Sequence, residues 1–319
     1  MRAVKTVLFV LGGALLAVLV YYVGTEPILE TLRRLAWWQF VLVCLPYALI
    51  TAADTLGWRF AFARDRAPFW RLYGARLAGE ALNLVTAVGA IGGEVAKAWL
   101  VRRDVTYEES VPSVIIAKTT ITIAQALFLL LGLVLAWLTL SVSADLVAPM
   151  LWLFVAEVLA VGGFLGVQLS GLVARGGRLL KVFGATANTT YAETLDRALR
   201  DYYRHEWRRF GLSLAFHLAG WLIGALDALV ILWALELSAS VATATIIEAL
   251  GSAVRFATFL VPANLGPSEA ANAAAFDAFR FGAGAGLAFS FVRRARQAVW
   301  IVIGLAVLGA MRWSAARAQ

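Results

Sequence analysis

The sequence is poor in charge and in metal-binding side chains. Charged residues make up 15% of its 319 residues and hydrophobic residues 61%, whereas soluble domains carry about 25% charged residues. These proportions exclude a water-soluble domain and indicate that lipid is the solvent. The single cysteine, Cys44, rules out an intramolecular disulfide. The two histidines, His205 and His217, have no second histidine or cysteine at ligand spacing, so we expect no metal ion and no cofactor.

Motifs for nucleotide hydrolysis and for catalysis are also missing. The sequence has no Gly-x4-Gly-Lys-Ser/Thr loop for nucleotide phosphates. It has no aspartate-rich motif for a Mg²⁺-bound diphosphate and no nucleophile paired with a base. Period-two alternation over about ten residues, typical of membrane β-barrel strands, is absent as well. We therefore expect a helical membrane protein that is not an enzyme.

Long apolar stretches define the expected fold. A helix needs about 20 apolar residues to cross a hydrocarbon layer of about 30 Å. Six stretches meet this requirement: Thr6 to Val23, Trp37 to Ala53, Val111 to Leu140, Met150 to Leu172, Phe210 to Leu235 and Gly284 to Met311. The first stretch has the charged start of a signal peptide, but it is long and lacks a small-x-small cleavage site. We expect it to remain as a membrane anchor in an all-α protein with about six transmembrane helices.

The distribution of arginine and lysine predicts the orientation in the membrane. Basic residues mark cytoplasmic segments, and they cluster before the first stretch, after the second, between the fourth and fifth, and after the sixth. The links 141–149 and 236–242 contain none. Arg33 and Arg34 are an exception, accompanied by Glu26 and Glu30. Both termini are therefore expected in the cytoplasm, and the net charge of +8 indicates attraction to anionic lipids rather than nucleic-acid binding.

Two further apolar segments are interrupted. Leu77 to Leu100 is broken by polar residues and glycines, and Thr245 to Phe281 is broken at Pro262-Ala-Asn-Leu-Gly-Pro267. Irregular backbone at membrane depth is tolerated only beside protein or a water-filled cavity, because its polar groups need partners. Each segment is therefore predicted to be a re-entrant hairpin of two half-helices that borders a cavity.

The two halves of the chain repeat this pattern in opposite orientation. Glu94 and Glu269 are 175 positions apart, as are Lys118 and Arg293. The first hairpin should begin and end at the cytoplasmic face and the second at the outer face, as in transporters with inverted repeats. We expect one repeat over 1–140 and a second over 141–319. The second includes a basic cytoplasmic loop, 173–209, with a surface helix starting near Thr190.

Four charged residues are the leading site candidates, and we expect them to converge on one central hollow. Glu94 and Glu269 should lie in the first turn of a half-helix, where the helix dipole favours a carboxylate. Lys118 and Arg293 are cations within apolar helices, where an unpaired charge costs about 2.5–3.5 kcal/mol. One interpretation is that each acid pairs with a base and locks its hairpin. The other is that the pairs open during transport, or that the cations hold a lipid phosphate while the acids take up a proton.

A second group of candidates lies near these four. All of them are charged or turn residues inside apolar segments: Asp54, Asp227, Glu80, Glu157, Arg255, Pro262 and Asn264. Asp54 and Asp227 are near counterparts at the 175-residue offset. Because Asp54 lies close to a predicted membrane edge, it is either functional or simply solvated.

The motifs resemble those of the flippase-like family that includes the transmembrane domain of lysylphosphatidylglycerol synthases. The resemblance rests on Glu80-Ala-Leu-Asn83, Gly92-Gly-Glu-Val-Ala-Lys97, Ala117-Lys118, Phe259-Leu-Val-Pro-Ala-Asn-Leu-Gly-Pro-Ser-Glu269 and Arg293-Arg294. His217-Leu-Ala-Gly-Trp221 and Ala249-Leu-Gly-Ser-Ala-Val-Arg-Phe256 are most similar to the hopanoid-biosynthesis-associated branch. The family turn usually reads Pro-Gly-Gly-Leu-Gly, whereas this chain has Pro-Ala-Asn-Leu-Gly.

The resemblance implies a bacterial cytoplasmic-membrane protein that moves a polar lipid, in this branch a hopanoid or hopanoid-bearing lipid. No soluble aminoacyl-transfer domain is present in these residues, so we expect no lipid aminoacylation by this chain. Two alternatives stay open at this point. One is a membrane-embedded lipid-modifying enzyme with Glu94 or Glu269 as acid or base. The other is a non-transporting scaffold that binds lipid-biosynthesis proteins.

Overall fold

The structure, a computed structural model, describes residues 2–85, 90–139, 144–170 and 189–317. Its regular elements are all helical, which confirms the predicted all-α fold. The helices are α1 (Arg2–Val23), α2 (Thr25–Arg33), α3 (Trp37–Ala61), α4 (Phe69–Val85), α5 (Ala90–Leu100), α6 (Tyr107–Thr139), α7 (Ala144–Ser170), α8 (Thr189–His205), α9 (Trp207–Ala234), α10 (Val241–Ala257), α11 (Pro267–Ala278) and α12 (Ala283–Arg317). A 3₁₀ turn spans Pro262–Asn264.

Five of the described helices are long and apolar enough to cross a membrane: α3, α6, α7, α9 and α12. A sixth span is possible if α1 and α2 count as one, although they meet at an angle of 86°. Gly24, with φ of 82°, forms this bend in a left-handed conformation that glycine adopts without strain. The chain is thus a multi-pass membrane protein.

The first interrupted segment is a helical hairpin, as predicted, although it begins eight residues earlier, at Phe69. The Asn83 side chain accepts a hydrogen bond of 2.7 Å from the Gly93 amide, and a β-carbon at Gly79 would lie 2.6 Å from Cγ of Lys97. The two arms are therefore antiparallel and in close contact. Helix α5, with 11 residues, is only about 16 Å long. The predicted break near Gly89 falls between the arms, outside the described residues.

The second interrupted segment also forms a hairpin, from α10 and α11. Its tip contains the 3₁₀ turn at Pro262, and the two residues after that proline have positive φ angles, 53° for Ala263 and 50° for Asn264. Gly266, with φ of 89°, then starts α11. The tip packs on α1, where a side chain at Gly12 would collide with the Leu265 carbonyl oxygen.

Helix α12 contacts both hairpins, one at each end. A β-carbon at Gly304 would lie 2.6 Å from the Leu77 carbonyl oxygen, so the C-terminal half of α12 packs on α4. A β-carbon at Gly286 would lie 2.6 Å from the Asn272 carbonyl oxygen, so the N-terminal half packs on α11. The hairpins therefore approach the middle of α12 from opposite ends.

Helix boundaries repeat between the two halves. Adding 175 to the bounds of α3, α4, α5 and α6 gives 212–236, 244–260, 265–275 and 282–314, close to the bounds of α9, α10, α11 and α12. Four consecutive elements, including both hairpins, thus recur at one offset. The predicted boundary between the repeats, at residues 140 and 141, lies outside the described residues. So does the part of the predicted basic loop from 173 to 188.

The predicted loop helix is present as α8. Leu199 and Tyr202 are buried, and the Tyr202 hydroxyl donates a hydrogen bond of 2.8 Å to the Phe60 carbonyl at the end of α3. Tyr203 donates to Gln168 of α7, also at 2.8 Å. The apolar side of α8 therefore packs on the ends of the spanning helices.

Candidate functional site

Two polar cavities lie between the hairpins and the spanning helices. The first cavity, of about 160 Å³, is lined by α4, α5 and α6 together with Trp58 of α3. The second, of about 300 Å³, is bounded by α3, α9 and the second hairpin with α12. Ile121 of α6 lines both cavities. We had predicted that Glu94, Lys118, Glu269 and Arg293 converge on one hollow, whereas the structure divides them between two adjacent ones.

The acids of the first cavity are held by bases of the first hairpin. Glu94 accepts a bond of 3.0 Å from Lys97, one turn away on α5. Glu80 forms an ion pair with Arg76 at 2.9 Å and accepts a hydrogen bond of 2.9 Å from the Tyr47 hydroxyl. Glu94 is the fifth residue of α5, and the first turn of that helix has no acidic residue. The predicted placement at the helix start was therefore wrong, and the charge of Lys97 stabilises Glu94.

Lys118 has a different environment from the other cations. Its side chain is exposed and lines the first cavity. Among the described residues it forms no ion pair within 4 Å, so the predicted Glu94–Lys118 pair is not formed. Lys118 is thus the cation of this cavity that has no ion pair among the described residues.

Glu269 closes the start of α11. It lies in the first turn of this helix, as the sequence predicted. It is 1% exposed and accepts a hydrogen bond of 2.7 Å from the Gly266 amide. Its partner is Arg294, at 2.5 Å, and not the predicted Arg293. Arg294 also donates to the Ala263 carbonyl at 3.4 Å, so this residue ties α12 to the tip of the second hairpin.

Arg293 belongs to a larger buried network. It pairs with Glu248 of α10 and lies 3.9 Å from Asp227 of α9. Glu248 also accepts a bond of 2.7 Å from Arg255, and Asp227 pairs with Arg296. Two acids therefore hold three guanidinium groups and link α9, α10 and α12.

Asp54 is a buried member of a third cluster. It accepts bonds of 2.8 Å from Arg76 and from Nδ1 of His217, and it lines the second cavity. Asp54 is 8% exposed, which contradicts the alternative that it is simply solvated. Because Arg76 contacts both Asp54 and Glu80, this cluster joins α3, α4 and α9.

The turn residues Pro262 and Asn264 lie at the tip of the second hairpin. Pro262 begins the 3₁₀ turn, and the Asn264 side chain accepts a hydrogen bond of 2.8 Å from the Thr258 hydroxyl. Asparagine tolerates the left-handed conformation better than most residues. Alanine at position 263 tolerates this conformation poorly, because its β-carbon is crowded there. The turn therefore stores strain of about 1–2 kcal/mol.

Several contributors were missing from the predicted site: Arg76, His217, Glu248, Arg294 and Arg296. The sequence did offer a signal for Arg296, because residues three apart share a helix face and Arg296 is three positions after the predicted Arg293. Glu248 is a charged residue inside the apolar segment Thr245 to Phe281, which is a signal that could have identified it. Within the described residues, no group of three metal-ligating side chains comes together.

Comparisons with known proteins give one match. The family described as the lysylphosphatidylglycerol synthase TM region matches residues 7–311, which includes both hairpins and every site candidate. No curated protein and no solved structure matches the chain.

Proposed function

Because the chain belongs to the family of the lysylphosphatidylglycerol synthase transmembrane region, we propose that it moves a polar lipid between the two leaflets of the membrane. Family membership supports a role with membrane lipids. Transport itself is our inference from the arrangement of the site.

The observation that supports this proposal is the pair of adjacent polar cavities inside a bundle of membrane-spanning helices. The first is bordered by the first hairpin, and the second by the second hairpin with Leu84 of the first. The hairpins approach the middle of α12 from opposite ends. Only around Ile121 do the two cavities share a lining residue. A lipid head group that moves between leaflets would leave one cavity, pass Ile121 and enter the other, while its chains stay in the surrounding lipid.

The first cavity offers the initial contact for the head group. Lys118 supplies an ammonium group, and Asn83 in the same lining supplies an amide. An anionic head group such as a phosphate would bind there through charge-assisted hydrogen bonds. Arg255, whose side chain is 32% exposed, would receive it in the second cavity, with local opening of the Glu269–Arg294 pair.

The carboxylates favour transport over catalysis in this proposal. Glu94 and Glu269 each have a cationic partner within 3.0 Å, so these pairs would have to open before either carboxylate could exchange a proton with a substrate. A catalytic acid or base must lie within hydrogen-bond reach of that proton. We therefore propose a protein that is not an enzyme. We further propose a bacterial inner-membrane location with both termini in the cytoplasm, and a hopanoid or hopanoid-bearing lipid as substrate.

Leaflet exchange in proteoliposomes tests the proposal. We would reconstitute the purified chain in phosphatidylcholine vesicles with fluorescent phosphatidylglycerol or a fluorescent hopanoid, and follow quenching of the outer-leaflet probe. Ile121→Trp should block exchange because it fills the passage between the cavities. Leu127→Trp is the matched control, since Leu127 is 42% exposed on the outside of the same helix. Exchange no faster than in empty vesicles, for both lipids, would favour the enzyme or the scaffold.

A further inference from the structure

Glu157 is buried without a partner in the middle of a spanning helix. It is the fourteenth of the 27 residues of α7 and is 0% exposed. Neither carboxyl oxygen has a hydrogen-bond partner among the described residues. It lines neither of the two cavities, so the proposed transport path does not use it.

Glu157 lies on the one face of α7 that packs against protein. The buried residues of this helix are Leu146, Met150, Glu157 and Gln168, whose spacings of 4, 7 and 11 positions place them on one side of an α-helix. Residues elsewhere on α7 face lipid, such as Trp152, 74% exposed, and Leu159, 70% exposed. The carboxyl group therefore lies at the interface of α7 with its neighbours.

No charged group on the neighbouring helices compensates Glu157. Helices α6, α8 and α10 pack on α7. On α6, Lys118 opens into the first cavity, and on α10, Glu248 and Arg255 pair with each other. The titratable α8 residue nearest in contact is Tyr203, which donates to Gln168. Among the described residues, Glu157 is therefore buried with no hydrogen-bond partner and no ion pair.

The other buried membrane acids are different in this respect. Asp54, Asp227, Glu248 and Glu269 are each 8% exposed or less, and each has at least one arginine partner. In each of these four, the positive charge of an arginine lies beside the carboxyl group and offsets the cost of burying it. An isolated carboxylate in an apolar interior is so unfavourable that the group takes up a proton instead.

From this contrast we propose that Glu157 is a proton-binding site, protonated while α7 rests on α6 and released to water when the two helices separate. Protons moving down their gradient through this site would supply energy to the transport cycle. That coupling rests on the proposed lipid movement, whereas the proton site itself does not. Ionisable residues inside membranes commonly form such proton relays.

A polar chain at the same interface gives a proton a partial route. The Tyr203 hydroxyl donates to Gln168, and the Gln168 amide donates to the Thr119 hydroxyl at 3.0 Å. Gln168 is 11 positions from Glu157 on the same face, or about 16 Å along the helix. This series of hydrogen-bonded side chains therefore begins at α8 and ends about three helical turns from Glu157. Water would fill that gap once α7 moves.

Carbodiimide labelling tests the proton site without reference to transport. Dicyclohexylcarbodiimide adds to protonated carboxyl groups in apolar surroundings, and the adduct is located by mass spectrometry of the peptides. We expect modification at Glu157 at neutral pH, its absence in Glu157→Gln, and little modification at Glu26, an exposed carboxylate with an arginine nearby. An unmodified Glu157 in protein that the reagent has labelled elsewhere in the membrane would refute the site.

Exchange under an imposed pH gradient tests the coupling. The ratio of lipid exchange rates with and without the gradient should differ from unity in the wild type and fall to unity in Glu157→Gln. A variant that responds as the wild type does would overturn the coupling. If the wild-type chain moves no lipid at all, the proposed function fails and the coupling fails with it, while the labelling result still decides whether Glu157 binds a proton.

Discussion

The first and second hairpins share a topology but differ in how their charges are compensated. In the second, all four arginines that line the cavity have acid partners: Arg255, Arg293, Arg294 and Arg296. In the first, Arg76 and Lys97 are paired while Lys118 is not. One half of the repeat is therefore a closed network of ion pairs, and the other has an unpaired cation available to a ligand.

This difference separates stability from binding. Breaking a buried ion pair leaves an uncompensated charge and is strongly destabilising. Removing an unpaired cation leaves no partner charge without its counter-ion. Substitutions in the second network should therefore act on folding, and substitution of Lys118 should act on lipid binding. The predictions below are arranged to test this division, beginning with the largest effect.

Glu248→Ala should destabilise the fold by about 3–5 kcal/mol, because Arg255 and Arg293 lose the buried acceptor that they share. The measurement is the midpoint of thermal unfolding in detergent. Glu26→Gln is the control. Glu26 pairs with Arg33 at 3.8 Å, and both side chains are more than 70% exposed. Such exposed pairs contribute little to the free energy of unfolding. A Glu248→Ala midpoint equal to that of the control would contradict the closed network.

Lys118→Gln should slow exchange of an anionic lipid by about tenfold or more, because hydrogen bonds to charged groups contribute about 1.5–3 kcal/mol. Its unfolding midpoint should stay near that of the wild type, and Lys118→Arg should retain exchange. Lys97→Gln is the comparison in the same cavity, since Lys97 is buried and paired with Glu94, and it should lower the midpoint. If Lys118→Gln lowers the midpoint equally, the cation has a structural role.

Ala263→Gly should stabilise the protein by about 1 kcal/mol or less, since glycine accepts the positive φ of 53° but loses more chain entropy on folding. The gain would show as a higher unfolding midpoint. Ala274→Gly serves as the control because Ala274 is exposed and lies in the interior of α11, where glycine should destabilise by a similar amount. Equal changes in the two variants would indicate that the turn is not strained.

The smallest effect concerns Asp65, in the loop before the first hairpin. Partial burial raises the pKa of Asp65, but the hydrogen bond and charge of Arg209, together with Arg59, outweigh it and lower the pKa below its usual value. A lowered folded-state pKa means that its stabilising effect is present above the unfolded pKa, about 3.9, and is lost as pH falls through the folded value.

Asp65→Asn should therefore lower the unfolding midpoint slightly at neutral pH, and the difference from the wild type should vanish in strong acid. Unfolding midpoints measured from pH 7 downward, to about pH 3, give the comparison. Asp65 is 40% exposed, so the effect should stay below about 1 kcal/mol. A difference that grows as the pH falls would contradict the sign of the pKa shift.

Local chemistry was enough to predict much of this protein. Spans follow from runs of apolar residues such as those of α3 and α6, because only a helix satisfies its own backbone in lipid. Glycine, proline and charged residues in two apolar segments predicted both hairpins, and Glu269 was correctly placed in the first turn of a helix. Each of these features depends on residues close together in the chain.

The pairing of charges could not be predicted in the same way. The 175-residue offset suggested Lys118 for Glu94 and Arg293 for Glu269, yet the structure pairs Glu94 with Lys97 and Glu269 with Arg294. Neighbouring arginines on one helix point in directions about 100° apart. The packing of α12 between α9, α10 and α11 therefore decided which arginine contacts which acid. The sequence by itself determined where the membrane helices break. Tertiary packing decided which charges have no partner, because ion pairs form between helices and the relative rotation of two helices cannot be predicted from a local sequence pattern.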